Sequence, residues 1–267
     1  MDVLEQDNPQ SIRHVFYRMT DPRLGEPVVK TEKGYVQVQR RIVAMRRDAT
    51  LPYDWIVDTS RSGIFTNTFL NPTDFIESML WQYRADPWRS SKWYCEVWVE
   101  SRSIAGVIEE LCEEYAVSLY PCGGFTSLTL AFEASATLNK MAANGKKLMI
   151  LYIGDWDQSG VIVDKSLEKE LRQHLSRRVD LHFERLAITE EQIARYNLPT
   201  KPRKETDRRS HHIRATVEAE AMPANILRGL LRKKLDTLLP KGALAKARRE
   251  SERGQADLQI IAAEAEG

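Results

Sequence analysis

The spacing of apolar and polar positions divides the chain into a helical start and a longer stretch in which strand-like and helix-like segments alternate. Pro9 stands near a helix start, and Ile12, Val15, Phe16 and Met19 recur at helical spacing. A second helix is predicted from about Thr31 to Arg47, with Thr31 as cap and Tyr35, Val38, Ile42 and Met45 as its apolar stripe. Pro52 and the polar stretch Asp58 to Asn71 break the pattern, which resumes as one helix over Asn71 to Tyr83 that ends before Pro87. From Trp93 the texture changes. The segments Trp93 to Val99, Val117 to Tyr120, Lys147 to Ile153 and Asp180 to Ala187 read as strands. Ser103 to Tyr115, Phe125 to Lys140 and Ser159 to His174 read as the helices between them, the alternation of a parallel α/β unit. A short helix over Thr189 to Tyr196, a polar basic loop over Pro199 to Arg214, a strand near Thr216 to Ala219 and a helix over Ala224 to Leu239 follow. The tail from Lys241 is charged, Ala-rich and short of large apolar residues, so it is expected to be a loose or frayed helix.

This pattern predicts a two-domain α/β protein. Residues 1–58 form a small helical unit, 59–92 a connector with one helix, 93–240 the α/β unit and 241–267 a charged tail. The length of 267 residues suits one large domain or two ordinary ones at roughly 150 residues each. With 42% hydrophobic and 29% charged residues the chain lies far from the composition of disordered segments. The start, MDVLEQDNPQ, lacks the basic and apolar regions of a secretory signal, and the longest strongly apolar run, Leu148 to Ile153, is too short for a membrane span. Three cysteines, Cys95, Cys112 and Cys122, without a C-x-x-C pair fit buried thiols in a reduced, cytoplasmic protein better than a disulfide frame or a zinc site.

Charge changes the picture only locally. Thirty-nine Lys+Arg against thirty-eight Asp+Glu gives +1, which excludes a uniformly basic coat. Between Arg13 and Arg47, however, nine basic residues face three acidic ones, Asp21, Glu26 and Glu32, an excess of six. A helical unit whose second helix carries Arg40, Arg41, Arg46 and Arg47 fits a helix-turn-helix or winged-helix DNA reader, with a solvated charged face as the alternative. Lys201, Arg203, Lys204, Arg208 and Arg209 offer a second basic stretch that either follows a phosphate backbone or is a solvated loop.

The sharpest candidate chemistry is Gly154-Asp155-Trp156-Asp157-Gln158-Ser159-Gly160, directly after the buried strand LMILYI and before a helix. Open α/β sheets bind ligands beyond the carboxyl ends of their strands. Asp155 and Asp157 are thereby delivered to such a place, where two close carboxylates call for a cation and hard oxygens suit Mg²⁺. The alternative is an Asp-rich turn that caps the next helix. Glu100 ends the strand WYCEVWVE, and converges with the Asp pair if the two strands are neighbours. Glu218 and Glu220 either add to the metal environment or face solvent. Asp58 and Arg61 contact DNA or form an ordinary ion pair, and Trp156 stacks on a base or packs.

An acidic residue at the end of the first strand, the Pro121 to Gly124 turn after the second and Asp-x-Asp-x-x-Gly after the third together resemble the Toprim domain. That resemblance covers about Trp93 to Ala187 and implies that Glu100, Asp155 and Asp157 gather Mg²⁺ for making or breaking phosphodiester bonds. Ser11-Ile12-Arg13-His14-Val15-Phe16-Tyr17 is similar to the Arg-x-x-aromatic-Tyr motif in the winged helix of type IIB topoisomerase A subunits (topoisomerase VI A-like) and their meiotic double-strand-break relatives. Tyr17 is then implied as the DNA-cleaving nucleophile, leaving a 5′-phosphotyrosyl link. In the family the Tyr and the metal that act together come from different subunits, so a homodimer on double-stranded DNA is implied. A phenol with a pKa near 10 needs a nearby cation or base. Arg13, four residues earlier on the same face, can stabilise a phenolate, and His14 is a weaker candidate base. No G-x-x-x-x-G-K-[ST] occurs, so ATP-driven strand passage would need a separate ATPase B-type subunit. The rival expectations are a Toprim nuclease using a metal-activated water and a non-catalytic DNA-binding protein.

Overall fold

The computed structural model describes residues 1–57, 66–123, 128–176, 179–202 and 215–264. The N-terminal segment is helical, as its periodicity predicts. A short α1 (Asp2–Gln6) and the two-residue β1 (Gln10–Ser11) lead into α2 (Ile12–Met19), where the Ser11 hydroxyl caps by accepting from the His14 amide at 3.3 Å. In α3 (Glu32–Arg47) Thr31 caps by accepting from the Gly34 amide at 3.2 Å, and Val38 and Ile42 lie on the buried stripe. Glycine is required at 34, because a Cβ there would overlap the Val29 carbonyl oxygen. After α3, β2 (Ile56–Val57) pairs in parallel with β1. The connector holds α4 (Pro72–Met79), capped by Asn71 and continued by a 3-10 turn over Leu80–Gln82.

Among the described residues four strands build the central sheet: β3 (Trp93–Val99), β4 (Ser118–Pro121), β5 (Lys147–Ile153) and β6 (Leu181–Ala187). All are parallel, in the order β4-β3-β5-β6. The connecting helices are α5 (Arg102–Glu114), α6 (Leu128–Ala143) and α7 (Gln158–His174). The chain is therefore mixed α/β, a parallel sheet flanked by helices. Val99 stands opposite both Pro121 and Ile153, and Ile153 opposite Ala187, so the carboxyl ends of all four strands are level.

Alternation along the strands splits the core between two faces. Val97, Val99, Leu151 and Ile153 pack with Ile104 and Ile108 of α5, with Leu227 and Leu231, and with Val15, Phe16 and Tyr17 of α2. Trp98, Leu148, Ile150 and Tyr152 face Ala131 and Leu138 of α6 and Leu167 and Leu171 of α7. The crossover from β3 through α5 leads outward to β4, whereas the path from β4 crosses back past β3 to β5. The direction of winding thus reverses between β3 and β5, the switch point at which open sheets form their ligand crevice.

After β6 come α8 (Glu190–Tyr196), with a Thr189/Gln192 capping box, and the antiparallel pair β7 (Lys201–Pro202) and β8 (Ala215–Thr216). A 3-10 turn over Ala219–Ala221 precedes α9 (Ala224–Leu238). The tail corrects the expectation of a loose or frayed end: α10 (Ala243–Glu264) is a continuous helix packed along α4 and the following turn. Small side chains allow that approach. Ala247 and Ala262 are buried, Ser251 Oγ accepts from the Ala85 amide at 2.9 Å, and Gln255 Nε2 donates to the Tyr83 carbonyl at 3.1 Å. Cys95 and Cys112 are buried free thiols and Cys122 is half-buried. Among the described residues no helix is long and apolar enough to cross a membrane.

Candidate functional site at the strand ends

The backbone ladder continues one residue past the strands and brings the acidic residues into register. The Glu100 amide donates to the Ile153 carbonyl at 2.9 Å, and the Gly154 amide to Ala187 at 2.9 Å. Glu100 Oε2 in turn accepts from the Asp155 amide at 2.9 Å, with the Tyr152 hydroxyl at 3.5 Å. Gly154 makes this possible: a Cβ there would stand 2.7 Å from Glu100 Oε2 and 2.6 Å from the Tyr152 ring. On the other side, the turn after β4 closes over the strand end, Gly123 donating to the Glu100 carbonyl at 2.9 Å with φ +66°.

A second segment crosses the strand ends from the C-terminal part of the chain. Trp156 and Val217 exchange backbone hydrogen bonds at 2.8 and 2.9 Å, which lays residues 217–220 over the crevice. Trp156 accordingly packs against the core rather than standing free for a base. Asp155 Oδ1 accepts from the Ala219 amide at 2.8 Å. Glu220, 5% exposed, accepts from Ser101 Oγ at 3.0 Å and from Ser103 Oγ. Burial pushes the Asp155 carboxyl up to about 7; the Ala219 amide opposes the shift, while Glu100, Glu220 and Asp157 add to it. Glu100 is raised as well, first by burial and then by Asp157, against the Asp155 amide and Arg185.

Arg185 was not singled out by the sequence, yet it fixes the loop. Its Nη1 donates to the carbonyls of Gly154 and Asp155, both at 3.1 Å, and to Ile188 at 3.4 Å, while Nε donates to Asp164 Oδ2 at 2.6 Å. Both side chains of this pair are 12% exposed. The available signal was an arginine interrupting the apolar pattern of β6, with an aspartate on the helix that follows Asp157.

Tyr17 and Arg13 meet at the same crevice. Tyr17 is 6% exposed, with the Glu218 carboxylate beside it. Burial and that carboxylate raise the phenol's pKa, with Arg13 opposing. Arg13 Nη1 lies 3.1 Å from Glu218 Oε2, and its guanidinium 5.6 Å from the Tyr35 ring centroid. Lys30 Nζ stands 4.8 Å from the Tyr17 ring centroid. A cavity of about 450 Å³ opens beside them, lined by Tyr17, Arg18, Arg23, Tyr196 and Glu220. His14, the alternative base, is turned away: it is 1% exposed, bonded to Ser11 Oγ at 2.9 Å, and burial followed by the charge of Arg228 pushes it down to about 3. Burial thus disfavours its protonated form, and its ring is engaged by Ser11.

Glu100, Asp155 and Asp157 are thus electrostatic neighbours around the switch point. Among the described residues no three His, Cys, Asp or Glu side chains stand close enough together to hold one ion, and Glu100 and Asp155 each accept from a backbone amide. Of the basic residues on α3, Arg40, Arg41 and Arg47 are exposed. Arg46 is engaged in the fold, donating to the Tyr53 carbonyl at 2.5 Å with its guanidinium 4.5 Å from the Tyr53 ring centroid. Lys201 opens β7, while Arg203, Lys204, Arg208 and Arg209, like Asp58 and Arg61, lie outside the described residues. Comparison with protein-family models, with curated proteins and with solved structures finds no match to this chain.

Proposed function

We propose that this chain cleaves and rejoins DNA through Tyr17, with residues 93–240 acting as a Toprim domain and the N-terminal helices as a winged-helix-like DNA reader, after the manner of a type IIB topoisomerase A subunit. One observation carries the reading: carboxyls at the ends of β3 and β5 share a crevice at the sheet's switch point with the buried Tyr17, whose helix neighbour Arg13 pairs at 3.1 Å with Glu218, the residue before the Ala219 amide that binds Asp155. Glu100, Asp155 and Asp157 present only hard oxygens of the kind Mg²⁺ takes, and to hold one ion together Glu100 and Asp155 would have to turn from the Asp155 and Ala219 amides that they now accept from. Mg²⁺ held by these three would neutralise charge on a transferring phosphate.

The protein's own groups supply the rest. Tyr17 Oη forms a bond to phosphorus as its proton passes to Glu218, the P–O3′ bond breaks, and the 3′ oxygen takes a proton from water. A 5′-phosphotyrosyl link and a free 3′ hydroxyl result, and reversal rejoins the strand. Arg13 steadies the phenolate and Glu218 together. Arg40, Arg41 and Arg47 bind phosphates along the duplex. Two copies would cut both strands, and strand passage would need a separate ATPase subunit.

A hydrolytic reading, in which water attacks in place of Tyr17, is favoured by a different observation, the burial of Tyr17 and the rise in its pKa beside Glu218. Labelled supercoiled DNA incubated with the protein and Mg²⁺, then quenched in detergent, separates the two. The proposed function requires labelled DNA on the protein band, lost in Tyr17→Phe and in Asp155→Asn or Asp157→Asn, with weakened Mg²⁺ binding by calorimetry in the Asn variants. Cleavage without an adduct that survives Tyr17→Phe would establish hydrolysis. Unchanged Mg²⁺ affinity in the doubly substituted Asn variant would remove the metal site.

A further inference from the structure

The outward face of α10 carries charged and apolar side chains in an order that a second copy of the same helix complements. We infer that α10 pairs antiparallel with α10 of a second copy about a two-fold axis near Gln255, with α4 and the turn after it closing the sides. This inference goes beyond the proposed function and stands without it, because the face lies away from the crevice. Arg248, near the start of α10, pairs at 2.8 Å with Glu114 in the last turn of α5. Ser101, at the head of α5, borders the crevice through Glu220, and the 13 residues of α5 separate the two places by about 20 Å.

Apolar exposure is concentrated on this side. Among the described residues thirteen large apolar side chains are exposed, and seven of them belong to the connector or to α10, including Trp81 at 66%, Ile260 at 59% and Ile261 at 51%. Contiguous patches of that kind mark association surfaces. The orientation of α10 is fixed by its inner side. Ala247 and Ala262 are buried, Ser251 and Gln255 bond the connector backbone, and a Cβ at Gly254 would overlap the Tyr83 ring. At about 3.6 residues per turn, Lys246, Glu250, Arg253, Asp257, Ile260 and Glu264 then fall on the outward side, and all six are exposed.

Their order is self-complementary. Counting outward from Gln255 in antiparallel register sets Lys246 against Glu264 and Arg253 against Asp257, each pair formed twice because the axis repeats it. Ile260 meets the aliphatic stem of Glu250. A parallel pairing would instead set Arg253 beside Arg253 and Glu264 beside Glu264. Within their own chain Arg253, Asp257 and Glu264 form no ion pair among the described residues, and Lys246 only approaches Glu250 at 3.7 Å. The 22 residues of α10 give a helix about 33 Å long. A lone pair of such helices falls short of the roughly 1,600 Å² of a standard interface. The exposed Phe75 and Trp81, on the segment packed along α10, supply the remaining apolar contact. Joined in this way, two copies leave both crevices open to DNA or to a further copy.

Sedimentation of the full chain over a concentration series, without DNA, tests the pairing. The parent is expected to pass from 30.7 kDa to twice that mass, and salt to favour the smaller species. Arg253→Asp leaves only acidic groups at the two central positions and Asp257→Arg only basic ones. Each variant alone then meets like charges twice across the axis, and its dissociation constant should rise roughly tenfold or more. An equimolar mixture of the two variants restores attraction at both places, so the dimer should return. Ile260→Ser, with every charge in place, should also favour monomer. These side chains are exposed, so thermal melts of the variants should match the parent's, and recovery in the mixture separates lost pairing from misfolding. A parent that stays monomeric at every concentration overturns the inference and leaves the face to a partner of another kind. Dimers indifferent to both charge reversals overturn it as well, since the copies then meet elsewhere. So does a mixture that fails to recover the dimer. DNA cleavage enters none of these readings, and its absence would leave the pairing standing.

Discussion

Replacing Arg185 with Met tests whether the loop after β5 is held by a buried cation. In the folded protein this guanidinium serves the Gly154 and Asp155 carbonyls at 3.1 Å and pairs with Asp164 at 2.6 Å, with both side chains 12% exposed. Methionine keeps much of the volume and the contact with the Tyr152 ring, over which Arg185 lies at 5.1 Å. What remains behind is a carboxylate, Asp164, without its counter-charge, and three carbonyls, those of Gly154, Asp155 and Ile188, without this donor. Breaking such a pair from one side costs about 3–5 kcal/mol, and the missing charge-assisted bonds add roughly 1 kcal/mol once water reaches the slightly exposed rim. Asp164→Asn keeps an acceptor for Nε and removes the charge, so about 1–2 kcal/mol is expected there. Because the Arg185→Met penalty comes mainly from stranding Asp164, the double variant should be no less stable than Arg185→Met alone. Urea unfolding of the four proteins gives the coupling directly. Additive losses, or a loss below about 1 kcal/mol in Arg185→Met, would refute the argument that this pair carries the loop.

Burial and charge elsewhere in the chain give further expectations. Glu96, fully buried in the centre of β3, has its carboxyl pushed up by burial to about 7, against hydrogen bonds from Trp98 Nε1 at 2.9 Å and the Tyr94 hydroxyl at 3.0 Å. Its folded-state value lies above its ordinary 4.5, so the folded protein retains a proton that the unfolded chain releases, and stability falls as pH rises from about 4.5 to 7. Glu96→Gln should remove a decline on the order of 3 kcal/mol over that window, and a stability profile parallel to the parent's would refute it. On α3, the triple change of Arg40, Arg41 and Arg47 to Gln should flatten the slope of log DNA affinity against log salt by roughly 0.9 for each phosphate no longer neutralised. Arg46→Gln should instead lower the melting temperature, since Arg46 holds the Tyr53 carbonyl; an unchanged salt slope in the triple variant would place DNA elsewhere.

The elements themselves were legible in the chain because their causes are local. Thr31, Ser11 and Thr189 cap where side-chain oxygens precede apolar periodicity, and β5 is an unbroken apolar run because both of its faces are buried. The alternation of strands and helices fixed the parallel α/β class, and Asp155 and Glu100 were placed at strand ends by counting alone. The tail was misread because an Ala-rich, charged helix has no stripe of large apolar residues to announce it. Its order comes from close approach to α4 and Leu80–Gln82, a surface far away in sequence. Tertiary structure alone decided the strand order that sets β3 beside β5, and the crossing of residues 217–220 over their ends. It also turned His14 inward and Arg13 outward from one helix, and placed Arg185 under three loop carbonyls. Most of these contacts join segments separated by tens to hundreds of residues. No periodicity encodes them; they arise when burial of the two sheet faces forces distant polar groups to find partners at the crevice that remains.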